Sequence, residues 1–140
     1  MFSVRLAALL LIFAGHLAAA EVRVEDARIR ALLPGQNKTA GYFDIINDGP
    51  QPVTLVAASS AAAGAIEFHR IIHDGDMVRM RRVEKLVIAP AETVRFQPGG
   101  LHLMLFRVDS LPQRTQIQLQ TSAGDSIDAV FRLVAPGVAR

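Results

Sequence analysis

The side chains best equipped for chemistry in this 140-residue sequence are its imidazoles and thioethers. Beyond residue 20 there are three histidines (His69, His73, His102), three methionines (Met77, Met80, Met104) and no cysteine. Imidazole with thioether, and without thiolate, is a donor set suited to copper, and to Cu(I) above all, in an oxidising compartment. Four of these residues fall into two groups: His69 with Met80 across a hairpin turn, and His102 with Met104 two positions apart. Taken singly, a strand histidine is ordinarily a surface or hydrogen-bonded residue, and a methionine ordinarily fills core space. Two His–Met pairs, each set on one face by its own local geometry, point instead to a metal site.

The first pair follows from the turn. Asp74-Gly75 is a strong two-residue hairpin signal. Counting outward from it sets His73 against Asp76, Ile72 against Met77, and His69 against Met80. Directly opposed residues share a face with Cβ atoms about 4.5–5.5 Å apart. Met77 is then an odd number of places from Met80 and faces the other side of the sheet. His73 shares the face of His69 but lies about 13 Å along, at about 3.3 Å per residue. A slip of one residue in the turn would reverse these faces. The second pair needs no turn: in Leu101-His-Leu-Met-Leu-Phe106 alternation puts three leucines on a core face and His102, Met104 and Phe106 on the other.

The elements that carry these pairs read as short strands. Candidates are Val22 to Arg30, Gly41 to Ile46, Val53 to Ala58, Ile66 to Ile72, Met77 to Val83, Lys85 to Ile88, Thr93 to Phe96, Leu101 to Val108, Thr115 to Thr121 and Ile127 to Val134. Turn signals separate them at Asn47-Asp-Gly-Pro50, Pro90, Pro98-Gly99-Gly100, Leu111-Pro112 and Ala123-Gly124-Asp125. Only the Ala-rich stretch Ser59 to Ala65 could make a helical turn. Strands at this spacing predict an all-β antiparallel sandwich or barrel.

The first twenty residues differ from the rest. A basic start ending at Arg5, an apolar run from Leu6 to Ala14, and Ala18-Ala19-Ala20 have the layout of a secretory signal peptide cleaved before Glu21. The apolar run is shorter than the ~20 residues a membrane span needs, and no cysteine follows it, so no membrane anchor is expected. Residues 21–140 then form a single domain, of a length able to bury a core without disulfides. Of 15 Lys and Arg, removing Arg5 leaves 14 against 13 acidic residues. Such a balance argues against nucleic acid as a partner. No nucleophile–base arrangement suggests an enzyme. Arg70, Arg79, Arg81, Arg82 and Lys85 gather on and beside the hairpin, either as a solvated face or as a docking patch for an acidic partner.

The spacing His69, ten residues, Met80, twenty-one residues, His102, one residue, Met104 resembles that of the periplasmic copper chaperones of the PCuAC type. So do Ala40-Gly41-Tyr42-Phe43 leading to Asn47, Val-Arg-Met-Arg around Met80, and Pro98-Gly99-Gly100-Leu101-His102-Leu103-Met104. The resemblance runs from Glu21 to about Val134. It implies a cupredoxin-like β-sandwich, with Cu(I) held by His69, Met80, His102 and Met104. It further implies delivery of Cu(I) to the binuclear CuA centre of cytochrome c oxidase, alongside thioredoxin-fold assembly proteins. Two features depart from the family pattern: His69-Arg70-Ile71 lacks the His-x-Met of many members, and the C-terminus has no His- and Met-rich extension. The competing functions are copper storage or resistance without delivery, and a non-metal β-sandwich interaction module. A blue electron-transfer site is excluded, since it requires a cysteine.

Overall fold

Each segment of strand-like patterning folds as a strand in the computed structural model, which describes residues 21–138; the expected signal peptide at residues 1–20 lies outside the described residues. The strands are β1 (Val22–Arg30), β2 (Lys38–Asn47), β3 (Val53–Ser59), β4 (Ala65–Asp74), β5 (Met77–Arg82), β6 (Leu86–Ile88), β7 (Thr93–Phe96), β8 (Leu101–Phe106), β9 (Arg114–Thr121) and β10 (Ser126–Val134). The described residues contain no helix. The Ala-rich stretch after β3 is a single turn, with Ala63 N–H bonded to the Ser60 carbonyl.

The strand pairings run β4–β8–β2–β1–β10–β9–β3 and return to β4 through Ala58 opposite Ile66, so the sheet closes into a cupredoxin-like barrel. Closure removes the exposed edges that an open sheet must protect. Most pairings are antiparallel, but β1–β10 and β7–β8 are parallel, so the sheet is mixed rather than wholly antiparallel. The apolar positions of β1 change phase between Val24 and Ala27, and there the strand carries an extra residue against β2, with Asp26 at φ +51°. A bulge of this kind re-aims the side chains beyond it.

Inside the barrel, Phe43 stacks on Phe96 at 4.2 Å and meets Phe131 edge-on at 5.5 Å. Leu55, Leu103, Leu105, Ile117 and Leu119 are fully buried around them. Asn47 is the polar counterpart of this core. Its side chain donates to the Gln51 and Ile88 carbonyls and accepts from Gly49 N–H. Every group of this buried amide therefore has a partner, as burial demands.

One element leaves the barrel. β4 pairs with β8 only from Ala65 to Arg70; beyond Ile71 its partner is β5 alone, and the two strands project as a hairpin with most side chains exposed. Its turn differs from the sequence expectation. Asp74 pairs with Met77, leaving Gly75-Asp76 as the two loop residues. An Asp-Gly turn of type I′ would need positive φ at both residues. With Gly75 first, only the glycine takes positive φ (+59°), as in a type II′ turn. The register accordingly moves by two: His69 opposes Arg82 and Met80 opposes Ile71, so His69 and Met80 are not directly paired. Because the shift is even, both residues keep the same face.

Candidate metal site

β8 positions half of the site. Leu103 and Leu105 are 0% exposed inside the barrel, which forces His102 and Met104 to the outer side of the wall. His102 is nevertheless only 4% exposed, while Met104 is half-buried. Across the ladder His69 lies directly opposite His102, and the two ring centroids are 5.8 Å apart with planes inclined at 52°. Metal–nitrogen bonds of about 2 Å, with each ring centre a little over 1 Å behind its nitrogen, allow two imidazoles on one ion to have centroids roughly 6 Å apart. The observed spacing satisfies that limit.

Met104 opposes Glu67 on β4 and Ala40 on β2. It also borders a cavity of about 310 Å³ that Arg30, Leu33 and Lys38 help to line. Met80 lies diagonally from His69 across the β4–β5 ladder, where Cβ atoms are about 7–8 Å apart or less, and it is 49% exposed. Thus the closed barrel holds three of the expected donors and the projecting hairpin presents the fourth. His73 opposes Val78 near the exposed hairpin tip, away from the opposed imidazoles, and Met77 is on the other face.

The hydrogen bonds leave one nitrogen of each imidazole without a partner. His69 Nε2 is 2.8 Å from Glu67 Oε2, and His102 Nδ1 is 3.2 Å from the Gly100 carbonyl. His69 Nδ1 and His102 Nε2 are buried and unpartnered. Buried polar atoms are rarely left so, and an unprotonated imidazole nitrogen is what a soft metal ion requires. Burial lowers the pKa of His102 below its ordinary value of 6.5, with His69 and Arg30 adding to the effect and the Gly100 carbonyl opposing it. The ring is therefore neutral at neutral pH. Among the described residues no three His, Cys, Asp or Glu side chains form a metal-binding group.

Glu67 is the residue the donor pattern overlooked. Its carboxylate joins His69 to Arg82, whose Nη1 is 3.3 Å from Oε1. The signal was available: two positions before His69 in an alternating strand, Glu67 must share its face.

The arrangement is that of an all-β domain with outward-facing soft donors, and comparison with other proteins gives the class. The family model "Putative lipoprotein LpqE-like" matches residues 22–131, and the chain belongs to the LpqE-like family. "Putative lipoprotein Lxx21020" of Leifsonia xyli is 28% identical over 75% of this chain, and "Uncharacterized protein RP573" of Rickettsia prowazekii is 35% identical over 68% of it. The chain spans only 64% and 48% of the lengths of these two relatives. Among solved structures, the apo PCuAC domain of PmoF2 matches with a TM-score of 0.73 at 21% identity, over 88% of this chain and 97% of that domain, a likeness of fold. The Cu(I) form of DR1885 from Deinococcus radiodurans matches with a TM-score of 0.68 at 26% identity, over 90% and 85%. The PCuAC-type resemblance seen in the His–Met spacing therefore extends to the whole fold.

Proposed function

We propose that this protein is a periplasmic copper chaperone that binds one Cu(I) through His69, Met80, His102 and Met104 and hands it to the CuA centre of cytochrome c oxidase. The observation that carries the reading is the direct opposition of His69 and His102, each with a buried unpartnered nitrogen, on the face that Met80 and Met104 share. The Cu(I) form of DR1885, a protein of the same fold, supports the choice of ion. The lipoprotein names of the family and of the Leifsonia relative support export.

The chemistry suits a carrier. Two imidazoles and two thioethers are neutral, so the bound ion keeps its single positive charge and gains from a site open to solvent. Thioethers carry no proton to compete for and favour the monovalent ion. Met80, half exposed on a strand whose one ladder partner among the described residues is β4, is the donor an acceptor could displace first. Val78 and Arg82 are exposed on its own face, while Ile72 and Met77 lie exposed among Arg70, Arg79 and Arg81 on the other, so the hairpin as a whole presents a basic surface. An acidic acceptor would be steered to that surface, chiefly through a faster encounter. Thioredoxin-fold assembly proteins are the other partners expected from the family resemblance.

A deletion strain tests delivery against storage. Under scarce copper, loss of a chaperone impairs oxidase assembly, and re-supplied copper restores it. Normal oxidase in scarce copper, with sensitivity appearing only in excess copper, would make the protein a buffer instead. Copper transfer to the acceptor that is unchanged between low and high salt would remove the steering role of the arginines.

A further inference from the structure

The two imidazoles are held in opposite ways. A carbonyl oxygen only accepts, so His102, 3.2 Å from the Gly100 carbonyl through Nδ1, carries its proton there and presents Nε2. An ionised carboxylate likewise only accepts, so His69, 2.8 Å from Glu67 through Nε2, carries its proton on that nitrogen and presents Nδ1. These free positions are the two buried nitrogens without partners. We propose that Glu67 is a positioning residue that fixes His69 as an Nδ1 donor, so that one copper ion is held by Nδ1 of His69 and Nε2 of His102. The inference rests on the copper-site reading above for the use to which those nitrogens are put.

The surroundings of Glu67 show how it could act. It opposes Met104 on β8 and lies diagonally from Arg82 on β5, so its carboxylate sits among three of the four donors and ties the hairpin to the barrel wall. The contact with His69 is short and both side chains are largely buried (13% and 27% exposed), whereas Arg82 is 62% exposed and 3.3 Å away. Solvent screens the second contact, so the orienting force lies in the first. A carboxylate behind a ligating imidazole fixes its tautomer and raises its basicity, and losing such a partner typically weakens metal binding about 10–100-fold. The negative charge also offsets the positive charge of the bound ion without adding a hard oxygen to its soft ligands.

The test uses nitrogen-detected NMR of the histidine side chains in the protein, before and after anaerobic addition of one equivalent of Cu(I), a diamagnetic ion. In the metal-free protein the expected result is a slowly exchanging Nε2–H on His69 and an unprotonated Nδ1. On adding Cu(I), the nitrogens that shift are Nδ1 of His69 and Nε2 of His102. Glu67→Ala exposes the Nε2 proton to rapid exchange and weakens Cu(I) binding about 10–100-fold. Glu67→Gln, which keeps an acceptor oxygen, falls between the two. Arg82→Ala changes affinity little. A protonated Nδ1 on His69 in the metal-free protein, or a Glu67→Ala variant with an unchanged Nε2–H, overturns the proposal. Because the metal-free tautomers are read without copper, failure to bind Cu(I) would strike the site reading alone and remain distinguishable from failure of the Glu67 role.

Discussion

His69 and His102 occupy directly opposed positions on β4 and β8, with ring centroids 5.8 Å apart, although 33 positions separate them in the chain. If both imidazoles grip one ion, removing either weakens Cu(I) binding at least tenfold, about 1.4 kcal/mol. The second removal then costs much less than the first, because groups acting on one centre are not additive. Competition titration of the two single variants and the double variant with a Cu(I) chelator measures this. Strictly additive losses would mean that the rings bind separately.

The face assignments on the hairpin predict an asymmetry between two neighbouring methionines. Met80→Ala lowers Cu(I) affinity, whereas Met77→Ala, equally exposed but on the opposite face, leaves it within about twofold, a few tenths of a kcal/mol. Equal losses in the two variants would show that the hairpin twists or slips in solution.

That asymmetry also marks how far the sequence could be read. Strand-like segments set off by turn signals are legible along the whole described chain, and alternation puts His102 and Met104 on the outer face because the three leucines of β8 leave no other core side. The hairpin register differs by two from the sequence expectation, since Asp74-Gly75 and Gly75-Asp76 are both plausible turns and only backbone geometry at Gly75 chooses between them. The facing of Met80 is unchanged because the difference is even. The opposition of His69 and His102 had no local signal: it depends on which strand pairs with β4, a non-local choice. Glu67 is legible by parity, since two positions before His69 in an alternating strand it shares that face.

Acid should loosen the protein through His102. Burial holds its folded pKa below 6.5, while in the unfolded chain the ring titrates at its ordinary value. Below pH 6.5 the unfolded state therefore binds more protons, and stability falls as pH falls until the folded ring is also protonated. Relative to wild type, His102→Gln is expected to gain stability between pH 7 and pH 5, read as the difference in thermal midpoint of the metal-free proteins. A constant or opposite difference would contradict the buried, neutral imidazole.

Asn47 is a purely structural counterpart. Asn47→Ala leaves the Ile88 and Gln51 carbonyls and the Gly49 N–H short of their side-chain partner in a buried site. Each orphaned group costs about 1–3 kcal/mol. Denaturant unfolding should show a loss of at least that size with the copper stoichiometry of the folded fraction unchanged. A loss under about 0.5 kcal/mol, the range of ordinary surface changes, would mean that water replaces the amide freely.

Copper-edge X-ray absorption on the anaerobic Cu(I) protein, joined to a stoichiometric titration, bears most directly on the four-donor site. One ion per chain with two nitrogen and two sulfur neighbours is the expected result. An ion with no sulfur neighbours, or the absence of saturable binding, would contradict it.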